Sequence, residues 1–565
     1  MTDAARPRNV SVDSGHGSGS SESGVDAPAE IPWHGKDASR NWIPVEDASA
    51  QRSRTLVLCF DGTGDQFDED NSNIVKLMAM LRKDDASKQL VYYQAGIGTY
   101  TSPFIVGEGA AAVVKTLDEM FAISLPDHVK EGYEFLMQNY TLGDKICIFG
   151  FSRGAYTARA LAGMLQKVGL LSKDNRQQLP FAYSMFSRDD LEGLQLSIMF
   201  KRTFSIDVKV EFLGVWDTVA SVGLVDRDLP FVGTNNAIRY FRHALALDEH
   251  RAKFMPSYYH RSPYSEKQVD KKSRLSLPQL QEDTDVIKQY EETINNSSPN
   301  KTDAKEVWFA GAHCDIGGGS VPNNTRHSLA RIPLRWMIRE LFRTKTGIIL
   351  DRDLLRDEAG LDLKTLDDSP PARIVPEADT CTLALDPPKD TFLLALGRFI
   401  WNTIQFPYKL ISGLLRPPKP SIKANFLPEK ASASEYLGEA EEELLDALSP
   451  MYDELRLTWW WRILEWMPMR HKKQSANTSP FNDKKEYVWS VNRGRGRKVF
   501  SYLLRDGKKI QVHRSVKTRL EALDERGRSG TYVPRIRTKF LSAKAQRFSH
   551  GDWDLEDTGF CEWVD

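Results

Sequence analysis

The stretch KICIFGFSRGAYTARALAGML, residues 145–165, decides the fold class. Its first part, KICIF, is a short apolar run that predicts a buried strand, and its last part places Ala158, Leu161, Ala162 and Leu165 on one helical face. Between them Gly150-Phe151-Ser152-Arg153-Gly154 fits the G-x-S-x-G pattern. That turn is so tight that the residues two before and two after the serine have almost no room for side chains, which glycine satisfies. A strand passing through such a turn into a helix lifts the Ser152 hydroxyl above a sheet. It also aims the helix N-terminus, where developing negative charge is favoured, at the same point. Five residues alone fit an ordinary glycine-rich turn equally well; the flanking strand and helix favour a nucleophile.

The same alternation continues outward. TLVLCF (55–60) ends in the turn sequence Asp61-Gly62-Thr63-Gly64, and Ile74, Leu77, Met78 and Leu81 follow at helical spacing behind Asn71 and Ser72, which can cap a helix. LVYYQ (90–94), VKVEFLGVWD (208–217) and EVWFAGAH (306–313) read as further strands, and Val129, Tyr133, Leu136, Met137 and Tyr140 as another helical face. Strands alternating with amphipathic helices predict an α/β fold of the α/β-hydrolase kind: a mainly parallel sheet with helices on both faces. In such sheets the site lies beyond the C-terminal strand ends.

A serine nucleophile needs a base within hydrogen-bond reach and a carboxylate to orient that base, and in this fold the acid precedes the histidine in the chain. Asp217 and His313 each fall just past a predicted strand, in that order. Singly, a helix cap and a structural histidine are the ordinary readings. With Ser152 the two complete a catalytic set. His243, His250, His260, His327 and His513 lack comparable placement. The oxyanion hole is expected from the backbone amides of Arg153, Gly62 and Thr63, with Gly150 and Gly154 shaping the elbow.

Five motifs in order carry a family resemblance: FDGTGD (60–65), GFSRGAYTARALAGML (150–165), FLGVWDTVASVG (212–223), HALALDEHR (243–251) and WFAGAHCDIGGG (308–319). Over roughly residues 52–345 the chain resembles the catalytic domain of the type VI secretion phospholipase effector-like family. WWWRILEWMP (459–468) and IQVHRSVKTRL (510–520) look like its fungal-type members. The resemblance implies an α/β-hydrolase fold, triad roles for Ser152, Asp217 and His313, and a lipid or phospholipid acyl ester as substrate.

The reading that results is a serine hydrolase of carboxylic esters, against the alternative of a catalytically silent hydrolase-fold scaffold. A phosphatase of the haloacid dehalogenase type is rejected, because Cys59 stands where the nucleophilic aspartate of LVLCFDGTGD would be. Asp61 is expected to order its own loop, and Asp315 in DIGGG to form a turn rather than bind a metal. No metal or cofactor is predicted.

Lys+Arg 76 against Asp+Glu 77 in 565 residues leaves a formal charge of -1, so no global field draws the protein to nucleic acid or an anionic membrane. The five cysteines form no CxxC pair, which suits a reducing compartment. With no secretory signal pattern and no run of about 18 apolar residues, the expectation is an intracellular, cytoplasmic protein, with peripheral membrane contact as an open alternative.

Residues 1–50, rich in Gly, Ser, Asp and Pro, read as a disordered leader and 51–345 as the catalytic domain with a surface insertion at 261–304. Residues 346–390 read as a linker or irregular loop, and 391–565 as a helical or irregular extension that caps the site or faces a membrane. Within it, 392–415 is amphipathic and Trp459–Trp466 is rich in tryptophan, and both suit a bilayer interface or core packing. RGRGRK (493–498) hints at nucleic acid, but no stacking motif accompanies it, and no nucleic-acid partner is expected.

Overall fold

Thr55–Phe60 (β1) has all six residues buried. In the computed structural model its side chains alternate, with Leu56, Leu58 and Phe60 entering one core and Val57 and Cys59 the other. Gln89–Gln94 (β2) and Lys145–Phe151 (β3) flank it, and β3 alternates likewise, Ile146 and Ile148 against Cys147, Phe149 and Phe151. Two-sided burial at period two is the condition for a parallel sheet covered on both faces.

The sheet grows through Val210–Trp216 (β4), Ile238–Ala246 (β5), Asp303–Phe309 (β6), Ile510–His513 (β7) and Cys561–Val564 (β8). The order is β8-β7-β6-β5-β4-β3-β1-β2, and every pairing in it is parallel. The chain leaves β1 for β2 on one side and returns as β3 on the other. The resulting switch point opens a crevice beyond the C-terminal ends of β1 and β3.

Asn73–Met80 (α1) starts at Ser72, whose hydroxyl accepts from the Val75 amide at 3.2 Å. Ala110–Asn139 (α2) and Ser152–Val168 (α3) cover one face of the sheet. Together with α1, Arg331–Arg343 (α5) and Arg352–Ala359 (α6) cover the other, and the short His313–Gly317 helix (α4) lies in between in the chain. Glu439–Leu448 (α7) is held on α5 by buried ion pairs, Arg331 and Arg335 to Asp446 and Arg339 to Glu439.

The structure describes residues 42–43, 53–62, 67–96, 110–188, 190–219, 229–259, 302–364, 366, 370–376, 382–384, 436–457, 461–466, 469–472, 487–497, 509–524, 527, 531–536 and 561–565. All of them belong to one unit, Asn41–Asp565. The amphipathic stretch 392–415, Trp459, Trp460 and most of the expected insertion 261–304 lie outside the described residues.

Several expected boundaries are corrected. Trp42–Ile43, assigned to the leader, pair antiparallel with Leu350–Asp351, which belong to the expected linker; two apolar residues gain backbone partners there. The linker also contains α6, capped by the Asp351 carboxylate on the Asp353 and Leu354 amides. Asp303 and Ala304, placed in the insertion, begin β6. The C-terminal extension supplies β7 and β8, so the sheet continues well past residue 345. Strand β5 was hidden by its charges: Arg242 is buried against Glu340 and Asp303, and His243 bonds Glu306.

Candidate active site

The elbow at the end of β3 is built by close backbone approach. A Cβ on Gly150 would lie 2.6 Å from the Ala155 Cα, and one on Gly154 would lie 2.2 Å from the Asp61 carbonyl oxygen at the end of β1. Glycine alone lets β1 and the first turn of α3 meet. Ser152 takes a positive φ of 58°, the strained conformation that such a turn imposes.

The structure brings the three residues expected to act together into one chain of contacts. Ser152 Oγ lies 2.8 Å from His313 Nε2, and His313 Nδ1 lies 2.5 Å from Asp217 Oδ2. With Nδ1–H donating to the carboxylate, Nε2 is left as the acceptor for the serine hydroxyl. The imidazole is fixed between two rings, Phe151 stacked on it and Phe254 edge-on, each with centroids 4.8 Å away. Its backbone amide donates to Glu249 Oε2 at 3.2 Å. Ser152 and His313 are only 4% and 3% exposed.

Asp217 leaves the end of β4 at φ 42°, and its carboxylate is saturated. Besides His313 it accepts from the Ala246 amide at 3.0 Å and from two nitrogens of Arg497, Nη1 to Oδ1 at 2.5 Å and Nη2 to Oδ2 at 2.8 Å. Arg497 also donates to the Phe254 carbonyl through Nη2 at 2.7 Å and Nε at 3.1 Å. One guanidinium thus holds both the acid and the segment whose ring packs on the imidazole. Burial pushes the Asp217 carboxyl up, but Arg497 and His313 together outweigh it and hold the group well below the usual carboxylate range. Burial lowers the His313 pKa, against the opposing pull of Asp217.

Arg497 and Glu249 were not among the expected site residues. Arg497 sits in the RGRGRK run, whose local composition hints at nucleic acid; only the packing of the 492–497 segment against residues 250–254, through Asn492 and Gly494 on His250 and Arg497 on Phe254, brings it to a buried partner. Glu249 lies in HALALDEHR, where its order in a motif gave the only signal.

The oxyanion expectations fare differently. Arg153 is the second residue of α3, directly after Ser152, so its amide stands at the positive end of that helix. The Gly62 amide is instead taken by the Asp61 carboxylate at 2.9 Å. That carboxylate also accepts from the Ser72 and Tyr93 hydroxyls, which makes Asp61 an organiser of its loop. Thr63 lies outside the described residues. Asp315 accepts from the Ala312 and Tyr452 amides. Among the described residues no group of three or more His, Cys, Asp or Glu could hold a metal ion.

The family model described as T6SS, Phospholipase effector Tle1-like, catalytic domain matches residues 54–340, just over half of the chain. An uncharacterised protein of Saccharomyces cerevisiae, YEL023C, is 29% identical over 408 residues, covering 55% of this chain and 60% of its own length. The chain therefore spans less than two thirds of that relative. Two solved structures are similar at 18% identity. One is a crystal structure of an uncharacterized protein from Pseudomonas aeruginosa, with a TM-score of 0.30 over 56% of this chain and 49% of that one. The other is the Tle1 effector bound to the VgrG spike from the Type 6 secretion system, with a TM-score of 0.25 over 48% of this chain and 52% of that one. With the five motifs lying in the matched segment and the parallel sheet built around them, the chain belongs to the family of T6SS phospholipase effector Tle1-like catalytic domains.

Proposed function

We propose that this protein is a serine-dependent hydrolase of carboxylic esters, acting on lipid or phospholipid acyl esters. The observation that carries the reading is the continuous contact from Ser152 Oγ through both nitrogens of His313 to Asp217. The family, one of phospholipase effector catalytic domains, supports the hydrolase class and a lipid substrate.

In the proposed reaction His313 Nε2 takes the Ser152 proton as Oγ attacks the ester carbonyl, while Asp217 holds the imidazole and stabilises its charged form. The Arg153 amide receives the oxyanion; with the Gly62 amide committed to Asp61, the second donor falls to Thr63. His313 returns the proton to the departing alkoxide. Water deprotonated by the same histidine then releases the fatty acid from the acyl-enzyme. Peripheral membrane contact through 392–415 and Trp459–Trp466 belongs to the same proposal, since a lipid ester must reach the crevice. No helix among the described residues is long and apolar enough to cross a membrane.

A fluorophosphonate probe on purified protein tests this, followed by hydrolysis of phospholipid in mixed micelles. Wild type should label, and Ser152→Ala and His313→Ala should not. The second reading, a silent hydrolase-fold scaffold, draws on the near-complete burial of Ser152. Folded wild type that neither labels nor turns over lipid would favour it.

A further inference from the structure

Away from the triad, Arg456, Arg462, Arg493 and Arg535 line one cavity of about 350 Å³, together with His250, Glu465 and Trp466. None of these side chains bonds Ser152, His313 or Asp217. The four arginines come from three separated parts of the chain, so their convergence is a product of folding and not of a local charge run.

Like charges gathered in one concavity repel unless something compensates them. The carboxylates present do so only in part. Glu465 is buried, and its oxygens are taken by the Ala252 amide at 2.6 Å, the Asn492 side-chain amide at 2.7 Å and the Gly494 amide at 2.9 Å. Asp453, also buried, is shared between His250 Nε2 at 2.8 Å, Arg535 at 3.2 Å and Arg456 at 3.6 Å. Four arginines among the described residues thus face Glu465 and Asp453. Among the described residues neither Arg462 nor Arg493 has a carboxylate partner. The Arg493 guanidinium instead lies 5.5 Å above the ring of Trp466, which is 67% exposed.

We infer that this cavity is a binding site for a phosphate-bearing ligand, a phosphomonoester or polyphosphate group. Guanidinium forks match phosphate oxygens bidentately, and several around one concavity favour a group carrying more than one negative charge. The cavity volume falls in the range of small-molecule sites. Trp466 supplies an apolar wall for the carbon skeleton that bears the phosphate. The same chemistry is offered by an anionic lipid headgroup and by a soluble polyphosphate.

The site is independent of the ester-hydrolase reading, so its test is a binding measurement, made on the full chain and on Ser152→Ala alike. Inositol hexakisphosphate and inorganic pyrophosphate are titrated by calorimetry. Phosphatidylcholine vesicles with and without phosphatidic acid are used for co-sedimentation. Binding should weaken with rising salt and fall at least about tenfold in Arg462→Ala/Arg493→Ala, the loss of one or two charge-assisted hydrogen bonds. Both side chains are exposed, so the melting temperature should not move, and exposed Arg202→Ala should bind like wild type. Binding to soluble probes alone identifies a soluble ligand, and binding to acidic vesicles alone a headgroup. Failure to bind either, or equal binding by the double variant, overturns the inference.

Discussion

Arg497 and Asp217 are 280 residues apart in the chain and meet side by side, both oxygens of the carboxylate on two nitrogens of the guanidinium, with both side chains buried. Arg497 lies outside the segment matched to the catalytic family, yet it neutralises the carboxylate bonded to His313. A carboxylate whose charge is compensated in this way raises the basicity of its imidazole less than a bare one would.

The pH dependence of fluorophosphonate labelling should report this. Burial lowers the His313 pKa below the ordinary imidazole value of about 6.5, so the wild-type rate should fall only at pH below that value. Removing the cation in Arg497→Met leaves the Asp217 charge uncompensated and raises the His313 pKa, which moves the acid limb to higher pH. Arg497→Lys keeps the charge but loses the fork, and its limb should stay near the wild-type position. A limb that is unchanged in Arg497→Met would refute the electrostatic role.

Arg497→Met should also destabilise the fold, because breaking a buried pair strands a charge at a cost of about 3–5 kcal/mol. Chemical denaturation of the two Arg497 variants measures it, and Arg497→Lys should lose less. A midpoint like that of wild type in Arg497→Met would show that Asp217 finds another partner.

Asp217→Asn should fold and keep the His313 contact, but with the amide donating to Nδ1 the imidazole is held in the wrong tautomer. Labelling of the folded variant should slow by about 10⁴-fold, and its melting temperature should fall, because the buried Arg497 loses its counter-charge. Labelling at the wild-type rate would remove Asp217 from the mechanism.

Asp315 gives stability a pH dependence of its own. Burial pushes its carboxyl up to about 7, although the Ala312 and Tyr452 amides pull it down. A carboxyl raised in the folded state contributes stability that is fully present below its unfolded value of about 3.9 and is lost as pH rises through about 7. Asp315→Asn still accepts from those amides and titrates nowhere in this range. Its melting temperature relative to wild type should therefore rise from pH 4 to pH 8. A constant difference would mean that Asp315 is ionised throughout.

Gly154→Ala should fail to fold or should lose labelling outright, because its Cβ would lie 2.2 Å from the Asp61 carbonyl oxygen, a backbone atom with no rotamer to yield. Soluble protein that labels normally would mean that β1 can move away from the elbow.

The sequence by itself determined the parallel α/β sheet, the elbow around Ser152 and the placement of Asp217 and His313 after their strands. Each of these is local: a period of two, a helical face, a glycine pattern and a polar residue ending an apolar run are all visible within about ten residues. Tertiary structure decided what depends on partners far along the chain. Strand β5 carries Arg242 and His243 into the sheet because Glu340, Asp303 and Glu306 await them there. Strands β7 and β8 complete a sheet that the earlier strands leave open at β6. The RGRGRK run hints at nucleic acid until packing turns Arg497 inward onto Asp217. A buried charge is tolerable only with its counter-charge in place, and no short stretch of sequence reveals which distant residue will supply it.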